Sequence, residues 1–187
     1  MSHHKSEEKS ARFTDVETLR KRARHNVENG AVTETYGANR EQVIEKLNDA
    51  LATELVCVLR YKRHYYMATG LESESVKAEF LAHAGEEQGH ADRIAERIVQ
   101  LRGAPDLNPA SLSARSHAEY VEGSTLREMI REDLIAERIA IESYTEIIAW
   151  LDGKDPTSHK LLREILAVEE EHAEDLASLL AGMRSSL

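Results

Sequence analysis

Cysteine, proline, aromatic residues and long apolar runs are all scarce in this chain of 187 residues. The single cysteine, Cys57, excludes an intrachain disulfide and is typical of a reducing cytosol, so we expect a cytoplasmic protein. No apolar run is long enough to cross a bilayer, and the N-terminus lacks the apolar core of a signal peptide, so we expect no membrane partner. Three prolines and 5% aromatic residues favour long amphipathic helices over a β-sandwich or barrel.

Positive charge is also in short supply, and the formal net charge is −10 at pH 7. This charge disfavours general nucleic-acid binding by the body of the protein and favours the attraction of cations. One segment is an exception, because a capping box at residues 14–17 predicts a basic helix over residues 15–29. We interpret that helix as solvent-exposed or in contact with another subunit, and the alternative is an arm that touches DNA. Its basic residues are Arg20, Lys21, Arg22 and Arg24.

Turn and capping residues divide the chain into an N-terminal arm, residues 1–38, and a helical domain, residues 39–184. In the helical domain, apolar residues recur at the helical period in four long segments. Short loops join the first segment to the second and the third to the fourth, whereas residues 106–123 form a long connection. This arrangement predicts an all-α fold, a four-helix bundle made of two antiparallel hairpins joined by a long crossover. The predicted helix starts are at Asn39, Ser73 or Ser75, Thr125 and Asp155.

Six ionisable side chains lie within the apolar stripes of these four segments. Two segments each carry a Glu-x-x-His sequence, in which the Glu and the His share one helix face. The other two segments each carry one Glu in the middle of the stripe, so the two halves of the chain repeat one hairpin. The six residues are Glu54, Glu87, His90, Glu137, Glu169 and His172.

This set of six predicts a site for two metal ions. Four unpaired carboxylates in a bundle core would repel one another and lose their hydration, whereas two divalent cations would cancel their charge. One Glu-x-x-His alone would more often be structural, but two in register with two central Glu residues favour metal binding. Mixed oxygen and nitrogen ligands favour iron or manganese, with competition by zinc.

Further candidates lie close to the stripes. Tyr61 follows Glu54 by seven residues, and Tyr144 follows Glu137 by the same spacing. We interpret the two tyrosines as packed in the core, and the alternative is that they hydrogen-bond a ligand or trap radicals. Asp133 is predicted either to hold the ring N–H of a ligand His or to lie on the surface. The candidates that we interpret as packed or surface residues are Cys57, His64 and His83.

Over about residues 41–180, these motifs resemble the ferritin-like superfamily, and bacterioferritin most closely. The resemblance implies that the six residues are ferroxidase ligands within one subunit, with Glu87 and Glu169 as the bridging carboxylates. It also implies two iron ions per subunit, with manganese or zinc as alternatives. The matching stretches are Leu47-Asn48 through Glu54 to Tyr61 and His64, Glu87-Gln88-Gly89-His90-Ala91-Asp92, Glu128-Met129 through Asp133-Leu134 to Glu137, and Glu164-Ile165-Leu166 through Glu169 to His172.

The chain departs from bacterioferritin in ways that change the expected cofactor and assembly. Gln88 stands where bacterioferritin has its haem-ligating Met, so we expect no haem. No fifth helix is expected after His172. In this respect the chain resembles Dps-type proteins, which favours a 12-subunit shell over a 24-subunit one. Dps proteins share their iron site between subunits, whereas these ligands are expected within one subunit. Relatives that combine both features often carry a cysteine pair, which Cys57 alone cannot form.

The expected function is therefore iron storage and detoxification. Fe²⁺ would be oxidised by peroxide or oxygen at the di-iron site, and the ferric product would be stored inside a hollow homo-oligomer. One alternative is a di-iron or di-manganese oxidoreductase that stores no iron, such as a peroxidase. Another is a DNA-protecting Dps-type protein that binds through its basic arm.

Overall fold

The computed structural model describes residues 13–70 and 73–185, and this part of the chain is helical without strands. Four long helices form two antiparallel hairpins, α2 with α3 and α5 with α6, as the sequence predicted. Among the described residues, none of the helices has the length and apolarity needed to cross a membrane. The α-helices are α1 (Val16–Arg22), α2 (Arg40–Met67), α3 (Ser73–Gln100), α4 (Leu112–Arg115), α5 (Leu126–Leu151) and α6 (Pro156–Ser185).

Side chains cap the starts of the long helices where the sequence predicted them. The Asn39 side chain accepts a hydrogen bond from the backbone N–H of Gln42 at 3.2 Å, which satisfies a free donor of α2. Thr125 forms the predicted capping box at the start of α5. Asp155 Oδ1 accepts a hydrogen bond from the backbone N–H of Ser158 at 2.9 Å at the start of α6. These caps fix where each helix begins and hence which residues share a level of the bundle.

The predicted helix over residues 15–29 was too long. α1 ends at Arg22, and a separate 3-10 turn follows at Val27–Asn29, after Asn26 adopts a left-handed conformation with φ of 49°. The capping residue is Asp15, which accepts from the backbone N–H of Thr18 at 2.9 Å, and not the predicted Thr14. α1 buries no residue, so no packing energy offsets the cost of a longer isolated helix. Residues 1–12 of the predicted arm lie outside the described part.

Two apolar clusters fill the bundle, one on each side of a polar layer. The first contains Leu47 on α2, Ile94 on α3 and Leu162 on α6, and the second contains Phe80 on α3 and Ile130 on α5. Each such side chain contributes about 1.5–3 kcal/mol by burial, so the clusters fix the axial register of the helices. That register brings the middle turns of α2, α3, α5 and α6 to one level.

The long connection between α3 and α5 crosses the surface of α2 and is tied to it by buried donors. Arg60 Nη1 donates to the backbone oxygen of Glu119 at 2.9 Å, and His64 Nε2 lies 3.2 Å from the backbone oxygen of Val121. Arg115, at the end of α4, donates to the backbone oxygen of Asn48 at 2.9 Å. These bonds hold the crossover that lets the second hairpin pack beside the first.

Candidate metal centre

The structure places all six predicted side chains in the polar layer, within one chain. Each is at most 4% exposed. α2 and α5 contribute one Glu each, and α3 and α6 contribute one Glu-x-x-His pair each. We call this set the six-residue cluster: Glu54, Glu87, His90, Glu137, Glu169 and His172.

One half of the cluster surrounds the imidazole of His90. Its Nδ1 atom lies 2.9 Å from Glu169 Oε1. The same atom lies 3.4 Å from Glu54 Oε2 and 3.5 Å from Glu87 Oε2. The four ligand atoms lie within 4.8 Å of one another, which is close enough for them to converge on one metal ion.

The other half surrounds His172 in the same manner. Its Nδ1 atom lies 3.3 Å from Glu87 Oε1, 3.7 Å from Glu169 Oε2 and 3.9 Å from Glu137 Oε2. Glu87 and Glu169 therefore turn one carboxylate oxygen toward each imidazole. The His90 and His172 rings are 6.4 Å apart between centroids. Two carboxylates shared between two ligand sets is the arrangement of a dinuclear metal site.

The atoms at the centre of the cluster lack hydrogen bonds to one another and are suited to bind metal ions. Seven buried side-chain atoms have no hydrogen-bond partner among the described residues, although they lie close together. Buried polar atoms in folded proteins are normally paired, so such a concentration needs a separate explanation, and bound cations provide one. The atoms are Glu54 Oε2, Glu87 Oε1, His90 Nδ1, Glu137 Oε2, both carboxylate oxygens of Glu169, and His172 Nδ1.

Without a cation, the surroundings shift the pKa values of the carboxyl groups of the cluster in opposite directions. Burial, and then the charge of Glu87, raise the pKa of Glu54 well above its usual range. Burial and the charges of Glu87 and Glu169 likewise raise the pKa of Glu137. Burial opposes ionisation of Glu87 too, but its contacts with Glu54 and His172 hold its pKa below the usual value. The raised pKa values of Glu54 and Glu137 therefore oppose the simultaneous ionisation of all four carboxyl groups.

Both imidazoles of the cluster hold protons tightly when no cation is bound. Burial acts against the charged ring, but contacts with Glu169, Glu54 and Glu87 raise the pKa of His90 to about 12. Contacts with Glu169 and Glu87 similarly raise the pKa of His172 to about 10. A cation must displace these protons before either nitrogen can act as a ligand.

Two tyrosines hold the terminal carboxylates in place. Tyr144 donates a hydrogen bond to Glu54 Oε1, and Tyr61 donates one to Glu137 Oε1. Both tyrosines are packed in the core, as one alternative predicted, and both also hydrogen-bond a Glu of the cluster, as the other predicted. Each tyrosine contacts the Glu of the opposite hairpin. Burial raises the pKa of both phenols, so both remain donors. Each frees the second carboxylate oxygen to face the centre.

Neither expectation for Asp133 was right. Asp133 is fully buried, and it accepts from Arg60 Nε at 2.8 Å and pairs with His64 Nδ1 at 2.8 Å, instead of contacting a His of the cluster. Arg60 also lies 3.5 Å from the Cys57 sulfur. Burial raises the pKa of the Cys57 thiol well above its usual value, which fits the predicted inert, packed cysteine. His64 is packed, as expected.

Two residues beside the cluster were not singled out as part of it from the sequence. Glu86 Oε2 lies 2.7 Å from His172 Nε2, on the side of the ring that faces away from the cluster. The His83 ring stacks on His172 with centroids 4.0 Å apart. Burial and the charge of His172 lower the pKa of His83 to about 4. Nothing in the sequence distinguishes Glu86 from the many other Glu residues of this acidic chain. His83 could have been found, because it lies one helical turn before Glu87 on the same helix face.

Comparisons with known proteins agree with this architecture. The ferritin-like domain model matches residues 44–186. A DNA protection during starvation protein from Pyrococcus furiosus is 32% identical over 160 residues, which span 84% of this chain and 86% of that protein. A bacterioferritin from Brucella melitensis is 33% identical over 140 residues, which span 74% of this chain and 83% of the relative.

Solved structures give the same result. The bacterioferritin-related protein from Bacteroides fragilis, described as a dodecameric thioferritin, is 32% identical with a TM-score of 0.75, covering 81% of this chain and 93% of that one. Dps from Thermosynechococcus elongatus shares the fold with a TM-score of 0.72 at 22% identity, covering 75% of this chain and 90% of that one. This chain therefore belongs to the ferritin-like family.

Proposed function

We propose that this protein oxidises Fe²⁺ at a di-iron site within each subunit and stores the ferric product in a hollow homo-oligomer. Peroxide or oxygen is the oxidant. The observation that carries the proposal is the pair of four-residue ligand sets that share Glu87 and Glu169. Iron is the substrate as well as the occupant of the site, and manganese or zinc would compete for the same ligands.

The chemistry requires two electrons at one place. Each Fe²⁺ gives up one electron, and one H₂O₂ takes two electrons and two protons to become two water molecules. The role of the six-residue cluster is to hold both ions close enough for both electrons to reach one oxidant. Glu54 and His90 complete the ligands of one ion, and Glu137 and His172 complete those of the other.

A double substitution in one Glu-x-x-His pair tests this assignment. Glu87→Ala/His90→Ala removes a bridging carboxylate and an imidazole, so rapid Fe²⁺ oxidation in stopped-flow absorbance should be lost while the helical content by circular dichroism persists. The control is Glu96→Ala/Glu170→Ala, which removes two exposed carboxylates, one from α3 and one from α6, and leaves the six-residue cluster intact. Equal oxidation rates in the wild type and the cluster variant would refute the assignment.

Storage requires a shell, and we propose twelve subunits. The Bacteroides fragilis relative, described as dodecameric, supports this number. Aerobic loading with excess Fe²⁺, followed by size separation and iron counting, tests both points. A large soluble species with far more than two irons per chain supports storage. A small species with about two irons per chain would favour the oxidoreductase that stores no iron.

DNA protection is the second candidate function. One observation favours it: the last turn of α1 exposes Arg20, Lys21 and Arg22, on a helix without buried residues. We propose that residues 1–38 form an N-terminal arm next to the bundle at 39–184. A gel shift that weakens with salt and is lost on deletion of residues 1–30 would support it, and a shift that survives the deletion would exclude it.

A further inference from the structure

Three side chains outside the six-residue cluster converge on the surface between α3 and α6. We call them the outer triad: Glu79, His83 and Asp175. Glu79 Oε2 and Asp175 Oδ2 each lie 3.9 Å from His83 Nε2, and the three ligand atoms lie within 4.8 Å of one another. Distances of 3.9 Å are too long for hydrogen bonds. Ligand atoms that lie about 2.0–2.2 Å from one tetrahedral ion are about 3.3–3.6 Å apart, so a shift of a few tenths of an ångström by the carboxylates would close the triad around an ion.

His83 is oriented from inside the bundle. Tyr61, which is hydrogen-bonded to Glu137, places its oxygen 3.3 Å from His83 Nδ1. This contact occupies Nδ1 and leaves Nε2 on the side of the two carboxylates. A neutral imidazole with its proton on Nδ1 carries its lone pair on Nε2, the atom that faces the two carboxylates. Histidines that bind metals are typically held in this way through the other ring nitrogen.

The carboxylates of the triad are free to adjust, whereas the imidazole is not. His83 is only 3% exposed and is clamped by its stacking on His172. The side chains of Glu79 and Asp175 are 47% and 61% exposed. Both line a surface cavity of 510 Å³, so ions from solution reach them. A rigid buried nitrogen beneath two mobile carboxylates provides one fixed ligand and two that can close around an ion.

We propose that the outer triad binds a divalent transition-metal cation, separately from the six-residue cluster. One imidazole nitrogen with two carboxylate oxygens suits Zn²⁺, Co²⁺, Mn²⁺ or Fe²⁺, and the remaining coordination positions go to water. The site is connected to the six-residue cluster through Tyr61 and through the ring of His172. The proposal concerns cation binding alone and does not require that the protein oxidise iron.

Crystals of the full chain soaked in Zn²⁺ test the site directly. The wild type should show an anomalous zinc peak about 2.0–2.2 Å from His83 Nε2, between the two carboxylates. The variant Glu79→Gln/Asp175→Asn should lose this peak and keep the peaks at the six-residue cluster. The control variant Glu96→Gln/Glu174→Gln neutralises one exposed carboxylate on each of the same helices and should keep every peak.

Equilibrium dialysis against Co²⁺ gives a second readout in solution. The triad variant should bind one Co²⁺ fewer per chain than the control variant. No zinc peak at His83 in the wild type, or equal Co²⁺ counts in the two variants, would overturn the proposal. A wild type that binds metal at the triad but fails to oxidise Fe²⁺ would refute the proposed function and leave this site standing.

Discussion

Binding of two divalent cations to the six-residue cluster should expel at least two protons at neutral pH. In the metal-free site, the pKa values of Glu54 and Glu137 are raised well above the usual range. Those of His90 and His172 are raised to about 12 and about 10. Both imidazoles therefore carry a proton at neutral pH that the cations must replace, and the raised pKa values of the two carboxyl groups oppose their ionisation.

The sign and size of the pH dependence follow from this proton count. A lower pH favours the protonated site, so cation affinity falls as the pH falls, throughout the range below the His172 pKa of about 10. Each displaced proton contributes about tenfold in the binding constant per pH unit, or about 1.4 kcal/mol. The two imidazole protons alone give about a 100-fold change per pH unit for the pair of cations, or about tenfold for each cation.

Titration calorimetry with Zn²⁺ measures the proton count directly. Runs at about pH 6.5 in buffers of different ionisation enthalpy should give a slope of at least about two protons per pair of cations. His172→Gln should lower that number by about one, because the amide has no imidazole proton to release. A slope of zero or one proton in the wild type would refute the reasoning, since the pair of cations would then bind an already deprotonated site.

Three further predictions follow from single side chains. Tyr144→Phe removes the hydrogen-bond donor to Glu54 and should weaken Co²⁺ binding at one of the two metal sites about 10–100-fold. An unchanged affinity in a Co²⁺ titration would show that this hydrogen bond does not position the ligand. Asp133→Ala leaves Arg60 buried without its carboxylate partner and should lower the free energy of unfolding in urea by about 3–5 kcal/mol. A loss below about 1 kcal/mol would mean that Asp133 and Arg60 do not form this buried pair. Gly123→Ala should destabilise by at least about 1 kcal/mol in the same assay. Its φ is +62° and the new Cβ would lie 2.9 Å from the backbone nitrogen of Met129, so an unchanged midpoint would contradict that backbone conformation.

The bundle could be predicted because its signals are local. Asn39, Thr125 and Asp155 each cap the helix that they precede, and the hydrogen bonds involved span three residues. The six-residue cluster was predictable for a related reason. A charged residue in an apolar stripe is costly, so each of its members stood out in its own helix before any contact between helices was known.

Contacts between distant parts of the chain could not be predicted in the same way. Asp133 pairs with Arg60, which lies 73 residues earlier, and the sequence around either residue does not indicate its partner. The contact of each tyrosine with the Glu of the opposite hairpin could not be predicted for the same reason. The spacing from Glu54 to Tyr61 within one helix does not reveal that Tyr61 contacts Glu137 on another helix. α1 was predicted too long because caps and charge were considered without the burial that a longer helix needs.

Stopped-flow oxidation of Fe²⁺, added in steps to the metal-free protein with excess H₂O₂, tests the central claim most directly. The amplitude of the fast phase should rise linearly and stop at about two Fe²⁺ per chain, since the six-residue cluster holds two ions. Glu87→Ala/His90→Ala should lack this phase. A fast phase without a break near two Fe²⁺ per chain, or one that persists in the variant, would contradict the assignment of the di-iron site.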